Sequence, residues 1–226
     1  MRVLSWNLFH GRARPAARRS LLEEFAAALA GWEWDVALLQ EVPPWWPPVL
    51  ARSTRSEQHS IPTSRNLGLP VRRAVASRNP DLARANGGGA NTILVRGGGA
   101  SDHSRARLAW WPERRVAHGV RLDAGWVVNL HASVRPAQRI PVDVARARAA
   151  ALTWAADEPV ILGGDLNLRR PELAGFEHAG GHWVDHVFVR GWQPAGVEVL
   201  DAGRLSDHRP LLVALDPLEH RLALAR

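Results

Sequence analysis

The chain has 226 residues, 46% of them hydrophobic and 23% charged, the balance of a soluble globular protein, which excludes wholesale disorder and fibrous structure. All 29 basic residues are arginine, set against 22 acidic ones for a net charge of +7, and cysteine and tyrosine are both absent. Thiolates, disulfides, Fe–S clusters, Schiff-base lysines and phenols are therefore removed from its chemistry. The positive balance makes polyanions candidate partners, although a coding bias that writes arginine wherever lysine would serve gives the same excess. No apolar run approaches the roughly 18 to 20 residues that span a bilayer. The opening Met1-Arg2-Val3-Leu4-Ser5 passes into Trp6-Asn7 without an apolar secretory core, so a cytoplasmic chain beginning at Met1 is expected.

The first forty residues read strand, helix, strand. Arg2 to Asn7 is a short apolar run. Pro15 to Ala30 carries Leu21, Leu22, Phe25 and Leu29 at helical spacing, with Gly31 as a stop. Asp35 to Gln40 is a continuous apolar run of the kind buried on both faces. Pro43, Pro44, Pro47 and Pro48 then interrupt regular structure; a short helix is expected over 45–52 and a strand near 58–61. Asn86-Gly87-Gly88-Gly89 is a loop before the strand Asn91 to Arg96. An antiparallel meander is expected over 103–111, 114–122 and 126–131. A helix (142–154), a buried strand (159–163) and strands at 183–189, 196–200 and 210–215 follow. Strands outnumber helices and no linker divides the chain, so one domain over 1–226 is expected: two packed sheets with outer helices. The sandwich would divide into halves of about 1–100 and the remainder.

Polar residues recur where these apolar runs stop or start, the places where such scaffolds carry their sites. Asn7, Glu41, His131, Asp165 and Asn167 follow strands, while Asp185, His186, Asp207 and His208 precede them. Any one of them could simply cap a helix or close a turn. As a set they are hard-cation ligands, phosphate donors and proton carriers, a chemistry that suits Mg²⁺ better than zinc in a chain without cysteine.

The segments Ser5-Trp6-Asn7, Leu39-Gln40-Glu41, Asn129-Leu130-His131, Gly164-Asp165-Leu166-Asn167, Asp185-His186-Val187-Phe188 and Ser206-Asp207-His208-Arg209-Pro210 resemble, in order, the motifs of the endonuclease/exonuclease/phosphatase superfamily. The resemblance covers nearly the whole chain. It implies an α+β fold, a four-layer α/β/β/α sandwich of two mostly antiparallel sheets flanked by helices, of the DNase I-like kind. It also implies Mg²⁺-assisted attack of water on a phosphoester, with Mn²⁺ as a substitute. Carried over by motif, Glu41 resembles the principal metal ligand, with Asn7 and Asp207 beside it. His208 resembles the histidine central to proton transfer and Asp185 the carboxylate that orients it. Asp165 resembles the residue that positions or deprotonates the water, and Asn167 and His131 those that donate to phosphate oxygens. Asn91, after a glycine-rich turn, is a further substrate-binding candidate beside Asn7, Asn167 and His131.

This reading favours a nuclease or phosphodiesterase. A phosphatase of a small soluble phosphomonoester and a non-catalytic nucleic-acid-binding protein of the same fold are the alternatives. The partner is a phosphoester substrate, nucleic acid among the options, and a monomer is assumed. The tyrosine that abasic-site endonucleases use is missing, and no carboxylate partner for His131 stands out. His186 is expected to be structural, His10 to be a surface residue near the site, and His182 similar. Trp45-Trp46, ahead of Trp110-Trp111, offer a base-stacking surface, with a core role as the bland alternative. Arg12, Arg14, Arg18 and Arg19 form a basic cluster, read either as a solvated helix face or as a phosphate contact.

Overall fold

In the computed structural model, which describes residues 1–63, 66, 68–83, 89–111 and 113–218, two six-stranded sheets pack face to face. The first is built on β1 (Arg2–Asn7) and β2 (Val36–Val42), which run parallel and are joined by the crossover helix α1 (Leu22–Gly31). On the β2 side follow β4 (Ala90–Arg96) and the edge strand β3 (Ser56–Pro62); on the β1 side follow β12 (Leu211–Pro217) and β11 (Trp192–Val199), all antiparallel to their neighbours. The second sheet repeats this plan. β7 (Gly125–His131) and β8 (Val160–Asp165) run parallel across α4 (Arg139–Ala155), flanked by β6 (Arg115–Leu122) and β5 (Asp102–Ala109) on one side. β10 (Asp185–Arg190) and β9 (Glu177–His182) complete the other side.

Strand alternation decides which layer each side chain fills. Val3, Leu38, Ile93, Val127, Ile161 and Val213 meet between the sheets. Leu4, Trp6 and Leu39 face outward under α1 and α2 (Pro47–Thr54), where Phe25, Leu29 and Leu50 cover them. Leu130, Leu162 and Phe188 lie under Val144, Ala147 and Ala151 of α4. Both faces of the central strands are thus buried, which is why those strands read as unbroken apolar runs. The four-layer α/β/β/α sandwich is the architecture expected from the sequence.

One buried amide ties the sheets together at the end that carries the site. Asn129 of β7 accepts from Gln40 Nε2 (2.8 Å) and donates to Leu39 O (2.9 Å) and Thr92 O (3.0 Å) across the interface. Every polar atom of that side chain is paired, as a buried polar group requires.

The structure corrects several expectations. The first helix starts at Leu22, not at Pro15, because the backbone of 12–14 is extended against 204–206, with Arg14 N donating to Arg204 O and Ser206 N to Arg12 O. The halves do not divide near residue 100: β11 and β12 return to the first sheet, where β12 pairs with β1 and closes the chain on itself. Helix α3 (Leu69–Arg78) and strand β9 were not foreseen; α3 buries no side chain and β9 is rich in glycine and histidine, so neither shows an apolar period. Residues 86–88 of the expected glycine-rich loop lie outside the described residues.

Candidate active site

Strands β1, β2, β7 and β8 end, and β4, β10 and β12 begin, at the same end of the sandwich. That end gathers six of the ten non-glycine residues with positive φ among the described residues: Phe9, His10, Glu41, Asn167, Trp183 and Ser206. Left-handed backbone is costly for such residues and concentrates where a side chain must be aimed. Glu41 has φ 51 within a break in the β2–β4 register, a bulge that turns its carboxylate into the site. Beneath Asp165, Gly164 has φ 134, and a Cβ there would run into Leu130 O; only glycine lets β8 lie this close to β7.

His208 Nδ1 donates to Asp185 Oδ2 at 2.7 Å, and its Nε2 lies 3.9 Å from Asp165 Oδ2. Burial opposes charging of this ring, but the Asp185 hydrogen bond and the charges of Asp185, Asp165 and Asp207 outweigh it and lift the pKa to about 9. Near neutral pH the pair is an imidazolium beside a carboxylate. The loop holding it is tied to β1: Ser206 Oγ donates to Asn7 O (2.6 Å) and accepts from His208 N (3.1 Å), while Trp6 Nε1 donates to His208 O (3.0 Å).

Asp165 is the hub. It accepts from Asn7 Nδ2 (3.0 Å) and Asn167 N (3.1 Å), and faces His131 Nε2 at 3.4 Å. Burial pushes its carboxyl upward against the opposing charge of His208. The His131 ring is fixed from its far side by the buried Arg115, which lies 2.8 Å from Nδ1 and is itself paired with Glu113. A guanidinium can only donate, so Nδ1 is the acceptor and the ring is the neutral tautomer with its proton on Nε2, facing Asp165. Burial and the charge of Arg115 hold its pKa well below the usual value.

On the other side stand Glu41 and Asp207. Glu41 lies 3.1 Å from His10 Nε2, and Asp207 Oδ2 accepts from Arg14 at 2.9 Å. Burial raises the Glu41 carboxyl, and the charges of Arg115 and His208 lower it. Asp207 Oδ1 is buried with no protein partner, as is Asp185 Oδ1. Buried carboxylate oxygens without donors are what a hard cation satisfies. Asp165, Asp185 and His208 also place ligand atoms within 4.8 Å of one another, but His208 Nδ1 and both Asp165 oxygens are already spent on hydrogen bonds. Glu41 and Asp207 carry the more exposed carboxylates of the site, while Asn7 Oδ1 beside them accepts from Phe9 N at 2.9 Å.

The profile of the Endonuclease/Exonuclease/phosphatase family matches residues 4–208. The chain belongs to this family. Solved structures of the same fold include a conserved protein of unknown function from Enterococcus faecalis V583, with a TM-score of 0.73 at 18% identity over 96% of this chain and 100% of that one. A mannosyl-6-phosphatase from Bacteroides thetaiotaomicron gives 0.71 at 14% identity over 96% and 99%. The human Nocturnin catalytic domain, solved with a bound sulfate anion, gives 0.67 at 15% over 96% and 93%. No curated protein matches the sequence.

The family fold brings Asn7, Glu41, His131, Asp165, Asn167, Asp185, Asp207 and His208 to this one end. Asn167 keeps its side chain on Ala132 O (3.0 Å). Asn91 does not join the others: its Nδ2 donates to Val116 O (3.0 Å), tying β4 to β6. His186 turns away, as its strand alternation requires, with Nε2 2.9 Å from Leu168 O. His10 is not a surface residue; its side chain is 18% exposed against Glu41. Trp46 is sealed in the core beside Phe25, which removes half of the favoured stacking pair, whereas Trp110 and Trp111 are exposed. The Arg12–Arg19 segment is no helix face: Arg12 lies over the Phe9 ring, Arg14 bonds Asp207, and Arg19 pairs with Glu24.

Two residues of the site escaped the sequence reading. Arg115 lies at a strand start among other arginines, with nothing to set it apart. Trp183 stands two residues before Asp185, and that proximity was its available signal.

Proposed function

We propose that the protein is a Mg²⁺-dependent phosphoesterase, most at home on phosphodiesters, with residues 1–226 acting as one catalytic domain. The observation that carries this reading is the meeting, at one end of both sheets, of a His208–Asp185 pair, the buried hub Asp165 and the freer carboxylates Glu41 and Asp207. Glu41, Asn7 and Asp207 would hold the cation, with Mn²⁺ as a substitute. When bound, such a cation polarises phosphoryl oxygens and offsets the charge that builds on them.

Within this reading the chain's own groups move the protons. Asp165, raised by burial, takes a proton from water as the new P–O bond forms. His208, charged near neutral pH, gives one to the departing oxygen as the old bond breaks. The two groups lie 3.9 Å apart, so proton exchange between them restores the starting state. His131, held as the Nε2–H tautomer by Arg115, and the second amide hydrogen of Asn167 donate to phosphoryl oxygens.

A cavity of about 400 Å³ beside His208 is of small-ligand size, which keeps a soluble phosphomonoester as the second reading. Incubation with plasmid DNA, single-stranded RNA, bis(p-nitrophenyl) phosphate and p-nitrophenyl phosphate, with Mg²⁺ or chelator, separates the two. Mg²⁺-dependent turnover of diesters, lost in His208→Ala, is the expected result. Turnover of the monoester alone would favour the phosphatase, and binding without turnover a non-catalytic protein.

A further inference from the structure

The β9–β10 hairpin closes with His182 opposite Asp185, which leaves Trp183 and Val184 as its two-residue turn. Trp183 has φ 58 and Val184 is not among the residues of positive φ, so Trp183 fills the first turn position, where such hairpins favour glycine. A bulky side chain is strained there, and packing returns little, because Trp183 is 57% exposed. Its location is not arbitrary. The indole lies 6.4 Å from the His208 ring and forms one wall of the 400 Å³ cavity together with Arg14, Asp207, His208 and Arg209. The guanidinium of Arg169 sits 5.8 Å from its ring centre. Val184 O accepts from Leu166 N (2.9 Å), so the turn is anchored to the loop that carries Asp165 and Asn167.

We infer that Trp183 is a stacking platform for an unpaired nucleobase, carried by the substituent that leaves the phosphorus on the His208 side. The inference rests on the phosphoesterase reading and names its substrate class. An exposed indole beside a reacting phosphate offers a π-face that any base can use. Arg169 lies over the indole as well and adds a planar cation to this wall, and the exposed Arg209 suits a flanking phosphate of a strand. A base inside a duplex has both faces covered, which directs the proposal to single strands or single nucleotides. An alkyl or sugar substituent would gain less from this wall than a planar base does.

The test compares wild type, Trp183→Ala and Trp183→Phe on three Mg²⁺-supported substrates: single-stranded oligothymidylate, the same backbone with abasic spacers, and bis(p-nitrophenyl) phosphate. In wild type the abasic strand is expected to show a KM about tenfold above that of the thymine strand. That ratio should fall towards one in Trp183→Ala and return in large part in Trp183→Phe, with kcat moving less than KM. An unchanged ratio in Trp183→Ala would overturn the platform while leaving hydrolysis intact. A KM increase confined to bis(p-nitrophenyl) phosphate would overturn the nucleobase in favour of small aryl esters. If wild type turned over none of the three, the phosphoesterase reading would fail by itself. Anisotropy of a labelled oligothymidylate then decides the platform, since equal affinities for wild type and Trp183→Ala would overturn it.

Discussion

The parallel pair β1–β2 of one sheet and the parallel pair β7–β8 of the other hold equivalent places, each joined by a crossover helix and each ending at the site. Their ends carry different chemistry. β1 ends in Asn7 where β7 ends in His131; β2 carries Glu41 near its end where β8 ends in Asp165; β4 opens near Asn91 where β10 opens with Asp185. The second set is closed: the Asp165 and Asp185 side chains are 3% and 2% exposed and bonded to the site's own amide and imidazole groups. In the first, Asn7 and Asn91 are buried as well, but the carboxylates are more open, Glu41 at 21% exposed and the neighbouring Asp207 at 23%. In the proposed function, the closed carboxylates would move protons and the more open ones would hold a cation, on one repeated scaffold.

Substitutions that act on one half alone can break this contrast. The largest effect is expected from His208→Ala or Asp165→Asn, which should lower kcat/KM on a phosphodiester by about 10³-fold while Mg²⁺ affinity stays within about threefold. Equal loss of metal affinity would merge the two halves. A smaller effect is expected from Arg115→Met, which frees His131 Nδ1 and with it the choice of tautomer. A fall in kcat of roughly tenfold or more, with partial recovery in Arg115→Lys, should appear in steady-state kinetics; a change in KM alone would mean that Arg115 serves binding instead.

The smallest effect lies away from the chemistry. Register places His118 of β6 opposite Asn129, where the first sheet has Leu211 opposite Ser5. Burial, followed by the charges of His103 and His59, lowers the His118 pKa to about 3. The folded protein therefore keeps this ring neutral while the unfolded chain binds a proton below about pH 6.5. Its share of stability is complete above that pH and is lost as pH falls towards 3, by at most about 1.4 kcal/mol per pH unit. His118→Leu, borrowing the residue of the equivalent position, should gain stability over wild type as urea melts move from pH 7.5 to pH 5. A difference independent of pH would contradict the account.

Much of this was legible in the sequence because two signals coincide at strand ends. Apolar runs such as 36–39 and 160–162 mark strands buried on both faces, and the polar residue that ends each run falls at the sheet's edge. Motif order then supplied the pairing of His208 with Asp185, which no local pattern gives. What stayed hidden depends on contacts distant in sequence. Arg115 meets His131 through strand pairing, the 12–14 segment was drawn out of a helix by 204–206, and β11 and β12 joined the first sheet by pairing with β1. Trp46 and Trp183 show the same limit, since nothing local separates a tryptophan under a helix from one at a hairpin turn.

Calorimetric titration of Mg²⁺ into wild type, Glu41→Ala and Asp185→Asn, with phosphodiester turnover recorded on the same samples, tests the division of labour most directly. Glu41→Ala should lose both binding and turnover, while Asp185→Asn should keep the binding and lose most of the turnover. Wild-type Mg²⁺ affinity in Glu41→Ala, or its loss in Asp185→Asn alone, would contradict that division.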